Sequence, residues 1–69
     1  MAKHIVLEIV DREIGYLVYD TIEDAIKALR DAYEEICSEF NIDDSHIDKS
    51  GTFAWANGKF NWDWEIISV

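Results

Sequence analysis

The sequence predicts one α+β domain over residues 1–69, with the element order ββαββ and one helix packed on one face of a four-stranded, mainly antiparallel sheet. Two alternating apolar stretches predict a β-hairpin near each end of the chain, and a helical apolar pattern lies between them. Hydrophobic residues form 49% of the chain and include three Trp, so a core is expected despite the short length.

The first hairpin is predicted from alternation and a turn signal. Lys3–Asp11 alternates between apolar and mixed positions, which is typical of a half-buried strand. Asp11–Gly15 is the predicted turn, with Gly15 in a left-handed conformation. Tyr16–Tyr19 is aromatic and β-branched, and we expect it to form the second strand.

A helix is predicted to begin after Asp20 or Thr21, either of which suits an N-cap. Glu23 and Asp24 follow in the first turn, where acids complement the helix dipole. The apolar stripe steps by three and four residues and contains Ile22, Ile26, Leu29, Tyr33, Ile36 and Phe40. We expect this stripe to pack on the aromatic face of the sheet.

Asn41–Gly51 is predicted as a polar connection, in which Asp43 or Asp44 caps a short helical turn. The second hairpin follows it. Asn57-Gly58 favours a two-residue type I′ turn, which pairs Ala56 with Lys59. In that register one face of the hairpin, expected to meet the helix, carries Phe53, Trp55, Phe60, Trp62, Trp64 and Ile66.

The opposite face of the predicted sheet offers a docking surface. We expect it to collect Val6, Val10, Ala54, Ile67 and Val69 among polar groups, and proline protects neither edge. Pairing of edges or outer faces would give a homodimer. Scattered exposed apolar residues on a monomer are an equally good interpretation.

No residue pattern indicates catalysis, a metal or a cofactor. His4, Cys37 and His46 fall on separate predicted elements without the paired spacing of a zinc site. Counted from Asp43, an EF-hand would need glycine at Asp48 and glutamate at Ala54. We therefore expect a protein that is not an enzyme and binds no metal or cofactor.

Charge is the main functional signal, because 15 Asp and Glu oppose six Lys and Arg for a net charge of −9. Such a chain repels nucleic acids and anionic membranes and attracts basic surfaces. Seven acids and no Lys or Arg lie in residues 31–48, including like-charged helical pairs four residues apart. We expect partner-binding acids at Asp31, Glu34, Glu35, Glu39, Asp43, Asp44 and Asp48, with Glu8, Asp63 and Glu65 on the sheet.

In size, acidity and α+β build, the chain resembles the small acidic DNA-mimic proteins of bacteriophages, which inhibit uracil-DNA glycosylase, restriction enzymes, CRISPR effectors or the nucleoid protein HU. The resemblance implies that carboxylates take the place of phosphates and occupy the DNA-binding site of a basic partner protein. The six basic residues depart from the purest mimics. No motif defines the class, so no binding residue follows from the resemblance.

The alternative hypothesis is a small adaptor or regulatory protein that docks through its sheet face or edge. Its anchors would be apolar residues such as Val6, Val10 and Ile67. Met1–Val10 lacks the continuous apolar core of a signal peptide, and no apolar run approaches ~20 residues. We expect a cytoplasmic protein, in the host bacterial cytoplasm or nucleoid if a phage encodes it.

Overall fold

A computed structural model describes residues 2–69 as a five-stranded antiparallel sheet with one helix on one face. The predicted α+β class and the single helix are confirmed, whereas the predicted four strands and the order ββαββ are wrong by one strand. The sheet order is β2-β1-β5-β4-β3. The elements are β1 (His4–Val10), β2 (Glu13–Tyr19), α1 (Ile22–Glu39), β3 (Ile42–Ile47), β4 (Phe53–Gly58) and β5 (Asn61–Ser68).

The additional strand, β3, occupies most of the predicted polar connection, so the helical turn expected there is absent from it. β3 is an edge strand that pairs antiparallel with β4, with a bulge between Ile42 and Asp44. Ile42 and Ile47 pack against the core, and Ser45 Oγ accepts a hydrogen bond of 3.0 Å from Tyr33 Oη. Polar residues fill the rest of the strand, and they hide its period of two in the sequence.

The first hairpin is longer and tighter than predicted. β1 and β2 pair over seven residues each, from His4 opposite Tyr19 to Val10 opposite Glu13, so the turn is Asp11-Arg12. Asp11 holds the positive φ of 54°, and the prediction of a left-handed Gly15 is wrong. Aspartate tolerates this conformation. Asp11 also exchanges hydrogen bonds with Asn61, from N to O at 2.9 Å and from Asn61 N to Oδ1 at 3.2 Å.

The helix follows its prediction closely. Thr21 is the N-cap, and its hydroxyl accepts a hydrogen bond of 3.2 Å from Asp24 N. Leu29 is completely buried at the centre of the apolar stripe. The helix covers the two tryptophans of β5, because Tyr33 meets Trp64 edge-on at 5.9 Å and Phe40 meets Trp62 at 5.0 Å between ring centroids. Among residues 2–69, no helical segment combines the length and the apolar composition of a membrane span.

The register of the second hairpin differs from the prediction. Ala56 pairs with Trp62 instead of Lys59, and Asn57 pairs with Asn61 across a three-residue connection. Neither Asn57 nor Gly58 has the positive φ that a type I′ turn requires. Gly58 is needed because of close packing, since a Cβ there would lie 2.6 Å from the carbonyl oxygen of Asn41. The glycine permits β3 to approach β4.

This shift of three residues on β5 reverses the expected faces of β4, because an odd shift moves a strand's side chains to the opposite side. Ala54 and Ala56 are buried beside Trp64 and Trp62 under the helix. Phe53 therefore lies on the outer face, defined here as the sheet face opposite the helix. The expectation that Val6, Val10 and Ala54 lie on the outer face is also wrong, since all three belong to the helix-side core or pack against it.

Candidate protein-binding surface

The outer face carries an apolar patch that spans β2, β1 and the end of β5. The strand registers place its members side by side, in the rows Val18–Ile5–Ile67, Tyr16–Leu7 and Ile14–Ile9. We call these seven residues the β1–β2 patch. Five large apolar side chains of the outer face are conspicuously exposed: Ile14 and Tyr16 at 68%, Val18 at 51%, Phe53 at 43% and Ile67 at 41%.

A second group on the outer face is aromatic. His46 of β3 lies opposite Trp55, with ring centroids 6.3 Å apart, and 6.0 Å from the ring of Phe53. We call these three residues the aromatic cluster. Aromatic side chains are over-represented among the residues that dominate binding energy in protein interfaces.

Two carboxylates separate the β1–β2 patch from the aromatic cluster. Asp63 lies between Ile9 and Trp55, and Glu65 lies between Leu7 and Phe53, in both cases by the pairing of β5 with its neighbours. Both acids are exposed. The outer face thus consists of two apolar areas with an acidic line between them.

Lysine and arginine are missing from the strands that form this face. None of the five strands, all of which lie within residues 2–69, contains a lysine or an arginine. The cations lie in the helix, in turns or beside strand ends: Lys3, Arg12, Lys27, Arg30, Lys49 and Lys59. Among residues 2–69 the one ion pair is Lys3 with Asp20, where the ammonium group lowers the pKa of the carboxyl group.

The acids expected to form one partner-binding strip are distributed over several sides of the molecule. Asp31, Glu35 and Glu39 are four residues apart and form one row on the helix. This row lies on the flank toward β2, since Ala28 and Ala32 of that flank line the cleft beside β2. Glu34 lies on the opposite flank.

The remaining predicted acids belong to other parts of the sheet. Asp44 lies on the outer face opposite Asn57, and Asp43 is exposed in the bulge of β3. Asp48 shapes the connection from β3 to β4, because its carboxylate accepts hydrogen bonds from Ser50 Oγ and, at 3.0 Å, from Ser50 N. These hydrogen bonds lower the pKa of Asp48.

Glu8 has a structural contact. It lies on the helix side of β1, where its carboxylate accepts a hydrogen bond of 2.7 Å from Trp64 Nε1. Trp64 is almost fully buried, so Glu8 satisfies the polar atom of a core side chain. Its carboxylate therefore lies on the opposite side of the sheet from Asp63 and Glu65.

Other kinds of site find little support among residues 2–69. They contain no group of three or more His, Cys, Asp or Glu side chains placed to hold a metal ion. Cys37 is half-buried on the helix, and His46 contacts aromatic rings. The exposed apolar side chains of the outer face and the acidic row on the helix are therefore the candidate binding surfaces.

Sequence reasoning missed most residues of the outer face. Of its apolar strand residues only Ile67 was placed there, and Phe53 and Trp55 were assigned to the core. Val69, which was also expected on this face, follows the end of β5 and is exposed at 70%. A signal was nevertheless present, since Ile5, Leu7 and Ile9 alternate with a second set of apolar residues in β1. A strand that is apolar on both faces predicts contacts on both sides of the sheet.

Together these features define a small α+β protein with an apolar, acid-lined sheet face. Comparison of the chain with protein-family models, with curated proteins and with solved structures found no match.

Proposed function

We propose that this protein is a non-enzymatic binding protein that docks through its outer sheet face onto a partner protein whose surface is both apolar and basic. The observation that supports this function is the exposure of large apolar side chains on a face whose strands contain acids but no Lys or Arg. Contiguous exposed apolar surface of this kind marks interaction sites in soluble proteins.

The β1–β2 patch and the aromatic cluster supply the anchors of the proposed interface. A well-packed interface gains most of its affinity from a few buried aromatic or large apolar groups. Phe53 and Ile67 are exposed at 43% and 41%, so both have surface to bury against a partner. Phe53 lies on β4 and Ile67 on β5, so a partner that contacts both must cover more than one strand.

Asp63 and Glu65 indicate that the partner's surface is positively charged where it meets them. A Lys or Arg opposite each carboxylate would compensate its loss of water, whereas an apolar or acidic surface would leave it buried and unpaired. Two copies of this chain stacked face to face over β5 would bring four carboxylates together. A basic protein is therefore a better occupant of this face than a second copy.

A photo-crosslinking amino acid at position 53, introduced into the full chain in the cells that make it, tests the docking face. We expect a covalent adduct with one predominant partner, because Phe53 would be buried in the interface. The matched control carries the same amino acid at Lys27, an exposed helix position, and should give no adduct with that partner. Adducts from position 27 alone would contradict docking through the outer face.

The same partner, once purified, allows the chemistry of the face to be measured. Phe53→Thr and Ile67→Thr should each weaken binding by about tenfold or more, since a central interface anchor contributes more than ~1.4 kcal/mol. Glu35→Gln on the helix should change affinity less than twofold. Equal losses for the face and helix variants would contradict the proposal.

DNA mimicry is the second candidate, in line with the resemblance to phage inhibitors, and one observation favours it. Asp31, Glu35 and Glu39 form a row without a basic partner among residues 2–69. The row rises ~1.5 Å per residue and so spans ~12 Å. Its charges are ~6 Å apart, nearly twice the ~3.4 Å spacing of the phosphates along one DNA strand. Such a row would occupy only part of a cationic DNA-binding groove.

Displacement of DNA tests this second candidate. Labelled duplex DNA is bound to the nucleoid protein HU, to a restriction enzyme and to uracil-DNA glycosylase in separate assays, and the chain is titrated in. Mimicry requires release of DNA from at least one of them, with a steep loss at higher salt. The triple variant Asp31→Asn, Glu35→Gln and Glu39→Gln should lose this effect, while Asp63→Asn with Glu65→Gln should retain it.

Either function would be carried out in the cytoplasm, as the sequence leads us to propose. For a phage protein this means the host bacterial cytoplasm, or the nucleoid if the partner is bound to DNA. The single cysteine, Cys37, allows no disulfide within the chain, which accords with a reducing compartment. Separation of the producing cells into cytosolic, nucleoid and membrane fractions checks this assignment.

A further inference from the structure

The free edge of β2 lacks the usual protection of sheet edges. Its seven residues run without a bulge, proline or lysine, and six of them are exposed. The opposite edge, β3, differs because a bulge interrupts it and Asp43 and Asp44 lie in it. An unprotected edge of this length is a template for pairing with another strand.

The hydrogen bonds within the sheet determine which residues of β2 face the open edge. Lys3 and Val69 exchange both backbone hydrogen bonds, at 2.7 and 2.9 Å, so odd-numbered residues of β1 bond to β5. The backbone groups of the even-numbered residues of β1 therefore point the other way and bond to β2. They pair there with the odd-numbered residues 13, 15, 17 and 19. Ile14, Tyr16 and Val18 therefore direct their backbone N–H and C=O groups to the edge.

An antiparallel copy of β2 fits this edge in one preferred register. If the two-fold axis passes beside Tyr16, Tyr16 pairs with Tyr16 of the second copy, and Ile14 pairs with Val18 of the second copy. This register uses the open groups of all three residues and forms about six hydrogen bonds. It also places apolar side chains opposite one another on the outer face.

The other face of the paired strands is complementary in shape. In this register Leu17 of one copy lies opposite Gly15 of the other, at a pair where the chains approach closely. Leu17 is 65% exposed, and no atom lies within 4 Å of the position that a Cβ on Gly15 would occupy. A cleft of about 320 Å³ between β2 and the helix, lined in part by Gly15 and Ala32, would receive the leucine.

The acidic row on the helix flank toward β2 repels the second copy, but the charges within the strand pair itself are compatible with pairing. The only acid of β2 is Glu13, which would lie opposite Tyr19 of the second copy, so no like charges meet in the new strand pair. Any antiparallel strand would supply the backbone hydrogen bonds, whereas the pairing of Leu17 with Gly15 and of Glu13 with Tyr19 depends on the sequence of β2 itself. The self-complementarity of the strand therefore favours a second copy of this chain as the occupant.

We infer that the protein forms a two-fold symmetric dimer in which the β2 strands of two copies pair antiparallel about Tyr16 and create one continuous ten-stranded sheet. The dimer brings the two β1–β2 patches together into one apolar surface. This inference is independent of the proposed function, because it uses the edge of the sheet and leaves the outer face free.

A cysteine at the two-fold axis tests both the interface and the register. In a Cys37→Ala background, Tyr16→Cys should form a disulfide-linked dimer under mild oxidation, because Cα atoms of a hydrogen-bonded pair lie ~5.5 Å apart, within disulfide range. Ile14→Cys is the matched control, since Ile14 and Tyr16 are both 68% exposed. Its own counterpart would lie four residues along the strand, ~13 Å away, beyond a disulfide's reach.

We expect cross-linking at position 16 to be at least tenfold faster than at position 14. Equal rates, or faster reaction at position 14, would overturn the inferred register. Sedimentation equilibrium of the unaltered protein provides a second measurement that does not depend on the variants. It should give a mass approaching twice 8.0 kDa as concentration rises, more readily at higher salt because two chains of net charge −9 repel each other. A single-chain mass at all concentrations and salts would overturn the dimer.

Discussion

At the scale of single residues, several polar side chains of this protein stabilise the core or a turn by accepting hydrogen bonds. Glu8 and Asp48 were expected to bind a partner, yet one accepts a hydrogen bond from Trp64 and the other from Ser50. A carboxylate that accepts a hydrogen bond contributes to the free energy of unfolding. This contribution can be measured without knowing the function of the protein.

The hydrogen bond between Glu8 and Trp64 predicts a specific loss of stability. Glu8→Ala would leave the indole N–H without its acceptor, and we expect the free energy of unfolding to fall by about 1–3 kcal/mol. Glu8→Gln retains an acceptor oxygen and should lose less. Urea denaturation monitored by tryptophan fluorescence compares the two variants. Equal losses for both would show that the charge of Glu8 matters more than the hydrogen bond.

The lowered pKa of Asp48 predicts a dependence of stability on acid. Because the folded-state pKa lies below the unfolded one, the stabilisation is present at pH values above the unfolded pKa and is lost as pH falls through the folded pKa, in a range below ~4. Ser50→Ala removes the largest cause and should raise the pKa of Asp48. Carboxyl-carbon NMR titration of both proteins measures the change; an unaltered pKa in the variant would contradict the assigned cause.

At the scale of elements, the helix is correctly placed by the sequence but carries unfavourable charges. Its last turn contains no basic residue, although the negative end of the helix dipole favours one. Glu35 and Glu39 are also like-charged neighbours four residues apart. These costs are local and should be removable without altering the packed face of the helix.

Reversal of charge at the exposed Glu39 should therefore stabilise the protein. Glu39→Lys removes one like-charged pair and adds a favourable charge to the last turn, for an expected gain of roughly 0.5–1.5 kcal/mol at low salt. Glu39→Gln should give only the smaller part of that gain. Urea denaturation at low and high salt checks both values. A gain that does not decline with salt would rule out an electrostatic origin.

At the scale of the whole molecule, excess negative charge and a largely apolar sheet face coexist. Only one ion pair, Lys3 with Asp20, lies among residues 2–69, and the net charge of the chain is −9. Self-repulsion of this size opposes the compact state and also opposes association of two copies. Salt is therefore expected to affect both folding and assembly.

Screening should raise the thermal stability of the chain. Because repulsion outweighs pairing, the Tm is expected to rise as NaCl increases from ~10 mM to ~300 mM, over which the Debye length falls from about 30 Å to less than 8 Å. Sodium chloride is the suitable salt, since sulfate also strengthens apolar burial. Scanning calorimetry at a fixed low protein concentration separates this effect from dimerisation. A falling Tm would mean that attractive charge pairs predominate.

The α+β class, the helix with a cap at Asp20 or Thr21, the two hairpins and the acidic character were predictable from sequence alone, because each depends on interactions among residues close in the chain or on composition. The tertiary structure decided the fifth strand, the hairpin registers and the identity of the outer face. β4 alternates alanine with Phe53 and Trp55, so both of its faces are apolar and its pattern does not select the inner one. The helix packs on the face that carries the small alanines beside Trp62 and Trp64, and this packing makes it the inner face. Gly58 permits the close approach of β3 to β4.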